Sequence, residues 1–65
     1  MTEAERINAL LDIVDGDRTQ DAETSAKLVV LGLAERSGKP VKLRPTNAGW
    51  NLMGQLGRPF RVEYG

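Results

Sequence analysis

The chain has 65 residues, equal numbers of acidic and basic side chains, and neither cysteine nor histidine. That composition excludes disulfide staples, thiolate and imidazole catalysis and the usual zinc ligand sets, and a chain of this length buries only about 60% of its unfolded surface. One domain spanning residues 1–65 is therefore expected, with a thin core that a second copy of the chain would supplement.

The first segment opens with "TEAE", where Thr2 and Glu5 stand at capping-box spacing and start a helix. Ile7, Leu10, Leu11 and Val14 follow as one apolar stripe, with Ile13 beside it as a core flank or a contact to another molecule. Gly16 is placed to end this helix in the left-handed conformation.

"DGDRTQD" is turn chemistry, and Thr19 or Asp21 is the expected N-cap of a second helix running to about Leu31. Ala22, Ala26, Val29 and Val30 share one side, with Leu33 just beyond, while Leu28 and Leu31 project elsewhere. An element apolar nearly all round in its last turn is expected to lie between two packing partners. Gly32 stops it.

"SGK" then turns the chain into "PVKLR", where Val41 and Leu43 alternate with Lys42 and Arg44 as in a half-buried strand. A two-stranded hairpin with a basic tip results. Thr46 caps a third helix, Asn47 to Leu56, which presents Trp50, Leu52, Met53 and Leu56 and ends at Gly57. In "PFRVEY", Phe60, Val62 and Tyr64 alternate with Arg61 and Glu63, the pattern of a closing strand.

Neutral overall, the chain is polarised along its length. Residues 1–24 carry seven acids against two arginines, a net charge of −5, and residues 25–65 carry seven cations against two acids, a net charge of +5. A basic surface for phosphate or for an acidic partner protein is one reading, and chance segregation of solvated charge is the other. The start of the chain has no basic segment followed by an apolar one, and no run approaches membrane-spanning length, so a cytoplasmic location is expected.

Two ligand-like patterns fail on spacing. "DGDRTQDAE" alternates oxygens as a calcium loop does, yet Gln20 and Ala26 stand where a glycine and a bidentate glutamate are required. "GLAERSGKP" lacks the spacing of a phosphate loop and has Pro40 in place of the magnesium-binding hydroxyl. No nucleophile stands beside a base, so no catalytic residue, cofactor or metal is assigned and the protein is not expected to be an enzyme.

Leu31-Gly32-Leu33, a hairpin from Glu35 to Arg44, and Thr46, Gly49 and Leu52 together resemble the C-terminal half of a bacterial winged helix-turn-helix domain, in which a Leu-Gly-Leu stop feeds a wing and a Thr-x-x-Gly motif opens the next helix. The resemblance covers residues 26–56 and departs from the family twice: Arg44 and Pro45 separate Leu43 from Thr46, and residues 16–33 have room for one helix where the family has two. It implies a small winged-helix-like α+β fold of order α-α-β-β-α-β. It further implies a DNA-binding protein, a transcriptional regulator or phage-type accessory protein, acting as a homodimer on double-stranded DNA.

On that model Thr24, Ser25 and Lys27 reach base edges, and Arg36, Lys39, Lys42 and Arg44 neutralise phosphates. The second helix nevertheless lacks the arginine, asparagine or glutamine that usually reads bases, and it begins with Asp21 and Glu23, so it is equally read as a core element capped by acids. A protein-binding module with no nucleic-acid role is the alternative, with Leu28, Leu31, Trp50, Phe60 and Tyr64 as candidate interface residues. For Trp50 the core is the commoner place, and Phe60 and Tyr64 would either cover the domain's own sheet or pair edge to edge with a second copy.

Overall fold

The computed structural model describes the backbone of residues 1–64 and the side chains of residues 1–61. Among these the order is α1 (Glu3–Val14), α2 (Ala22–Val30), β1 (Ala34–Ser37), β2 (Lys42–Pro45), α3 (Asn47–Met53), a single 3-10 turn (Gly54–Leu56) and α4 (Arg58–Tyr64). It is a small α+β domain whose sheet is one antiparallel hairpin.

The capping box holds α1: the Glu5 amide donates to Thr2 Oγ1 at 3.1 Å and the Thr2 amide donates to Glu5 Oε1 at 3.2 Å. The Thr2 amide foremost, and the Thr2 hydroxyl after it, hold the Glu5 carboxyl below its usual range. The end of α1 differs from expectation, since Gly16 is not left-handed. The helix stops at Asp15, whose backbone is extended and whose carboxylate accepts from the Asp17 amide at 3.0 Å, turning the chain with an Asx turn. Residues 16–20 contain only turn and coil, so a single helix occupies the stretch before the hairpin.

Asp21, not Thr19, caps α2, accepting from the amide and the hydroxyl of Thr24 at 3.0 and 2.6 Å. The inward face of α2 is Ser25 and Leu28, with Val29 half-buried. The sequence-based face is right only in part: Val29 and Leu33 pack against the core, whereas Ala22, Ala26 and Val30 point to solvent, and α2 packs on α1 and β1 through its Ser25–Leu28 side. A small residue and a leucine one turn apart fit closely under α1, which contributes Leu10, Leu11, Ile13 and Val14 to the core. Ile13 is thus a core residue.

The end of α2 is a Schellman motif around Gly32 at φ +76°, with Gly32 N donating to Val29 O and Leu33 N donating to Leu28 O. In the hairpin Ala34 pairs with Pro45, Glu35 with Arg44, Arg36 with Leu43 and Ser37 with Lys42. Val41 lies in the tip and is exposed, so the inward alternation expected of it holds only for Leu43, which is half-buried against the core.

Two corrections fall in the last third. The third helix is α only to Met53, because Gly54 turns left-handed at φ +57° and the chain tightens into the 3-10 turn. The expected closing strand is a helix, α4, and with it goes the edge-to-edge pairing of Phe60 and Tyr64 with a second copy. Pro59 in its first turn lacks only an amide that an α-helix leaves unbonded there, and a helix satisfies its own backbone, whereas a lone strand needs a neighbour. Phe60 packs half-buried against the core.

Candidate functional site

One junction positions the hairpin. The Thr46 amide donates to the Leu33 carbonyl at 3.0 Å, its hydroxyl donates to the Gly32 carbonyl at 2.6 Å, and the same hydroxyl accepts from the Gly49 amide at 3.2 Å. A Cβ at Gly49 would collide with the Leu33 carbonyl oxygen, so only glycine lets α3 come this close to the end of α2. The Leu-Gly-Leu stop and the Thr-x-x-Gly start are therefore two sides of one contact. Between them the hairpin leaves the body at a fixed place.

Directly paired residues of an antiparallel hairpin share a face. Glu35, Arg44, Ser37 and Lys42 accordingly lie on one side, and Ala34, Pro45, Arg36 and Leu43 on the other. Lys39, Lys42 and Arg44 border one shallow depression of about 310 Å³ at the tip. Arg44 also lines a hollow of about 580 Å³ at the hairpin base, together with Thr46, Asn47, Trp50, Glu35 and Arg61. A strip of four cations, Lys39, Lys42, Arg44 and Arg61, thus runs from tip to base. Glu35 opposes it, 3.9 Å from Arg44 Nε, in a solvent-exposed pair of little energetic weight.

Not every expected contact residue joins this strip. Arg36 is exposed but turned to the Leu43 side of the hairpin. Lys27 lies beside Glu23 at 3.9 Å and close enough to Glu5 and Asp21 to bias their titration, in the acidic half of the molecule. Thr24 is engaged by the Asp21 cap, and these bonds, led by the hydroxyl's, hold the Asp21 carboxyl below its usual range. Ser25 is 6% exposed and so faces the core, where it touches no base. As a base-reading element α2 has no free polar side chain on its outer face apart from the acids and Lys27.

The expected interface residues also divide. Leu28 is 0% and Trp50 6% exposed, so both are core residues and offer nothing to a partner. The position suits Trp50, which is packed among α1 and α3 side chains and covered by Arg61, whose guanidinium carbon lies 5.7 Å from the ring centroid. Phe60 is half-buried, Leu31 is exposed, and the side chain of Tyr64 lies outside the described residues.

Arg61 is the strip residue that the sequence concealed, because it read as the outward position of a strand. Arginine one helical turn beyond a glycine-proline start was the signal for it. Among the described residues no cluster of acidic side chains is arranged to hold a metal ion, and no helix is long and apolar enough to cross a membrane. Comparison of the chain with protein-family models, with curated proteins and with solved structures finds no match.

Proposed function

We propose that this protein is a small DNA-binding module of winged-helix type that meets the duplex with the outer face of its hairpin and not with α2. The observation that carries this reading is the convergence of Lys39, Lys42, Arg44 and Arg61 along one side of the wing, with Glu35 the one acid among the described residues that line it. Lysine and arginine side chains arranged this way neutralise phosphates, which sets position on the duplex without reading its sequence. Arg36 and the α2 residues Thr24, Ser25 and Lys27 drop out of the contact set. A single module with so few contacts binds weakly, so a role as an accessory protein, or as a homodimer that doubles the contact set, fits better than sequence-specific regulation by one copy.

Fluorescence anisotropy of a labelled random duplex, titrated with protein at two salt concentrations, tests the reading. Four phosphate contacts give a slope of log affinity on log salt of about −3 to −4. K39E combined with K42E should abolish binding at low ionic strength, and R36E should weaken it far less. Equal losses for the two variants, or no salt-dependent binding by the wild type, would remove the proposal.

The second reading, a protein-binding module with no nucleic-acid role, is favoured by a different observation, the open apolar flank of α2. DNA affinity that survives substitution on that flank separates the two.

A further inference from the structure

The hollow at the hairpin base has a volume of about 580 Å³. Ligand sites in general span roughly 300 to 1,000 Å³. Glu35 enters it from β1, Arg44 from β2, Asn47 and Trp50 from α3 and Arg61 from α4. Four elements of the fold thus meet at one concave place.

Packing delivers Arg61 to it. Phe60 is half-buried against the core, and the amides of Phe60 and Arg61 donate to the Gly57 carbonyl at 3.1 and 3.2 Å, which fixes the first turn of α4. The guanidinium of Arg61 then lies over the Trp50 ring. Such a contact holds the cation by its charge, so the guanidinium fork keeps N–H donors to give to a ligand.

The charge around the hollow does not balance. Among the described residues that line it, two guanidiniums face one acid, Glu35, which stands 3.9 Å from Arg44 Nε in an exposed pair. Thr46 has its hydroxyl committed on both sides, to Gly32 and to Gly49, whereas Asn47 adds an exposed side-chain amide. This combination suits an oxyanion. A carboxylate has two oxygens in one plane and satisfies one fork, while a phosphate spreads its oxygens over a tetrahedron and meets two forks that enter from different elements. The hollow is also much larger than one phosphate group, which leaves room for whatever the phosphate is esterified to.

We infer that the hollow is a seat for one phosphate ester, held by the guanidiniums of Arg61 and Arg44 and by the side-chain amide of Asn47. The inference rests on the proposed DNA contact only for the source of the ester, a backbone phosphate of the duplex as against a free nucleotide.

Thymidine 5′-monophosphate is the probe, with thymidine and inorganic phosphate beside it at constant ionic strength. Calorimetric titration of the wild-type protein should show saturable one-to-one binding of the nucleotide, weaker binding of inorganic phosphate and none of thymidine. The emission of Trp50, the single tryptophan of the chain, should follow the same isotherm because Arg61 lies against its ring. R61Q and R44Q should each weaken binding at least about tenfold, the loss of one charged hydrogen-bonding group. R61K keeps the charge over the ring and loses the planar fork, and should bind closer to R61Q than to the wild type. R36Q, on the other side of the hairpin, should bind as the wild type does. Thermal unfolding verifies the fold of each variant.

Without saturable nucleotide binding, or with binding that R61Q and R44Q leave intact, the inference is overturned, and salt-dependent duplex binding by the same protein would then leave the DNA reading standing. Nucleotide binding by a protein that binds no duplex keeps the seat and removes the DNA reading. A nucleotide that displaces labelled duplex assigns the seat to a backbone phosphate, and one that leaves the duplex bound assigns it to the free nucleotide.

Discussion

The two ends of the hairpin stand in opposite relations to the rest of the protein. At the base, Ala34 and Pro45 are buried, Thr46 bonds to the carbonyls of Gly32 and Leu33, and Gly49 presses against the backbone where α2 ends. At the tip, residues 38–42 are all exposed and carry two lysines. The residues that make the hairpin resemble a wing are those of the base, where they are required by geometry. The lysines that would give a wing its work lie at the tip, where the fold requires nothing of them, whereas Arg44 and Arg61 stand at the base beside Glu35 and Trp50.

The comparison can be broken most directly at Gly49. Replacing it with alanine drives a Cβ into the Leu33 carbonyl, and overpacking against a backbone that cannot move aside should cost about 3 kcal/mol. In thermal unfolding of a domain this small that is a fall of about 12 to 24 °C. A loss under about 1 kcal/mol would mean that α3 is not pressed against α2, and the rigid base would be an incorrect description.

Thr46→Ala comes next, at about 1 to 2 kcal/mol, because it removes the α3 cap and the donor to Gly32 O together. Thr46→Ser should recover most of it in urea titration. At the tip the same measurement on V41D, or on K39E with K42E, should move stability by less than about 0.5 kcal/mol, while on the proposed reading the lysine pair should lose DNA affinity. A larger destabilisation by V41D would show the tip to be part of the packed body.

The smallest effect is an acid limb that spares the base. Asp21 and Glu5 have folded-state values depressed below 3.8 and 4.5, so their stabilisation is complete above those values and is lost as pH falls through the folded ones. Hydrogen exchange at about pH 3 should therefore show protection reduced at the Thr2 and Thr24 amides, which donate to the two carboxylates, relative to those of Thr46 and Gly49, whose partners do not titrate. D21N should remove the Thr24 part of that response.

Where local chemistry decides an element, the sequence disclosed most of it, the end of α1 excepted, where the Asx turn of Asp15 stands in for the expected Gly16 stop. The Thr2–Glu5 box, the Gly32 stop, the Thr46 cap and the single helix between residues 16 and 33 depend on neighbours a few positions away, and all are present. What depended on distant packing was concealed. Val29, Val30 and Leu31 are alike to any hydrophobic pattern, and only the seat of Ser25 and Leu28 under α1 determines which of them remain in water. The alternation Phe60-Val62-Tyr64 is a fair strand signal that fails because α4 satisfies its own backbone. For the candidate interface, the cationic composition of the hairpin was legible and its partition was not. Strand register separates Arg36 from Lys42 and Arg44, and the helical turn of α4 brings Arg61 in.

One oxygen atom at position 46 faces a carbonyl and an amide at once, which restricts the alphabet allowed there more tightly than helix capping alone. Aspartate, ordinarily as good a cap as any, only accepts, and would set a negative charge against the Gly32 carbonyl. Asparagine divides its donor and acceptor between two atoms. Of the side chains that begin helices well, only the two aliphatic alcohols can serve both neighbours from a single point.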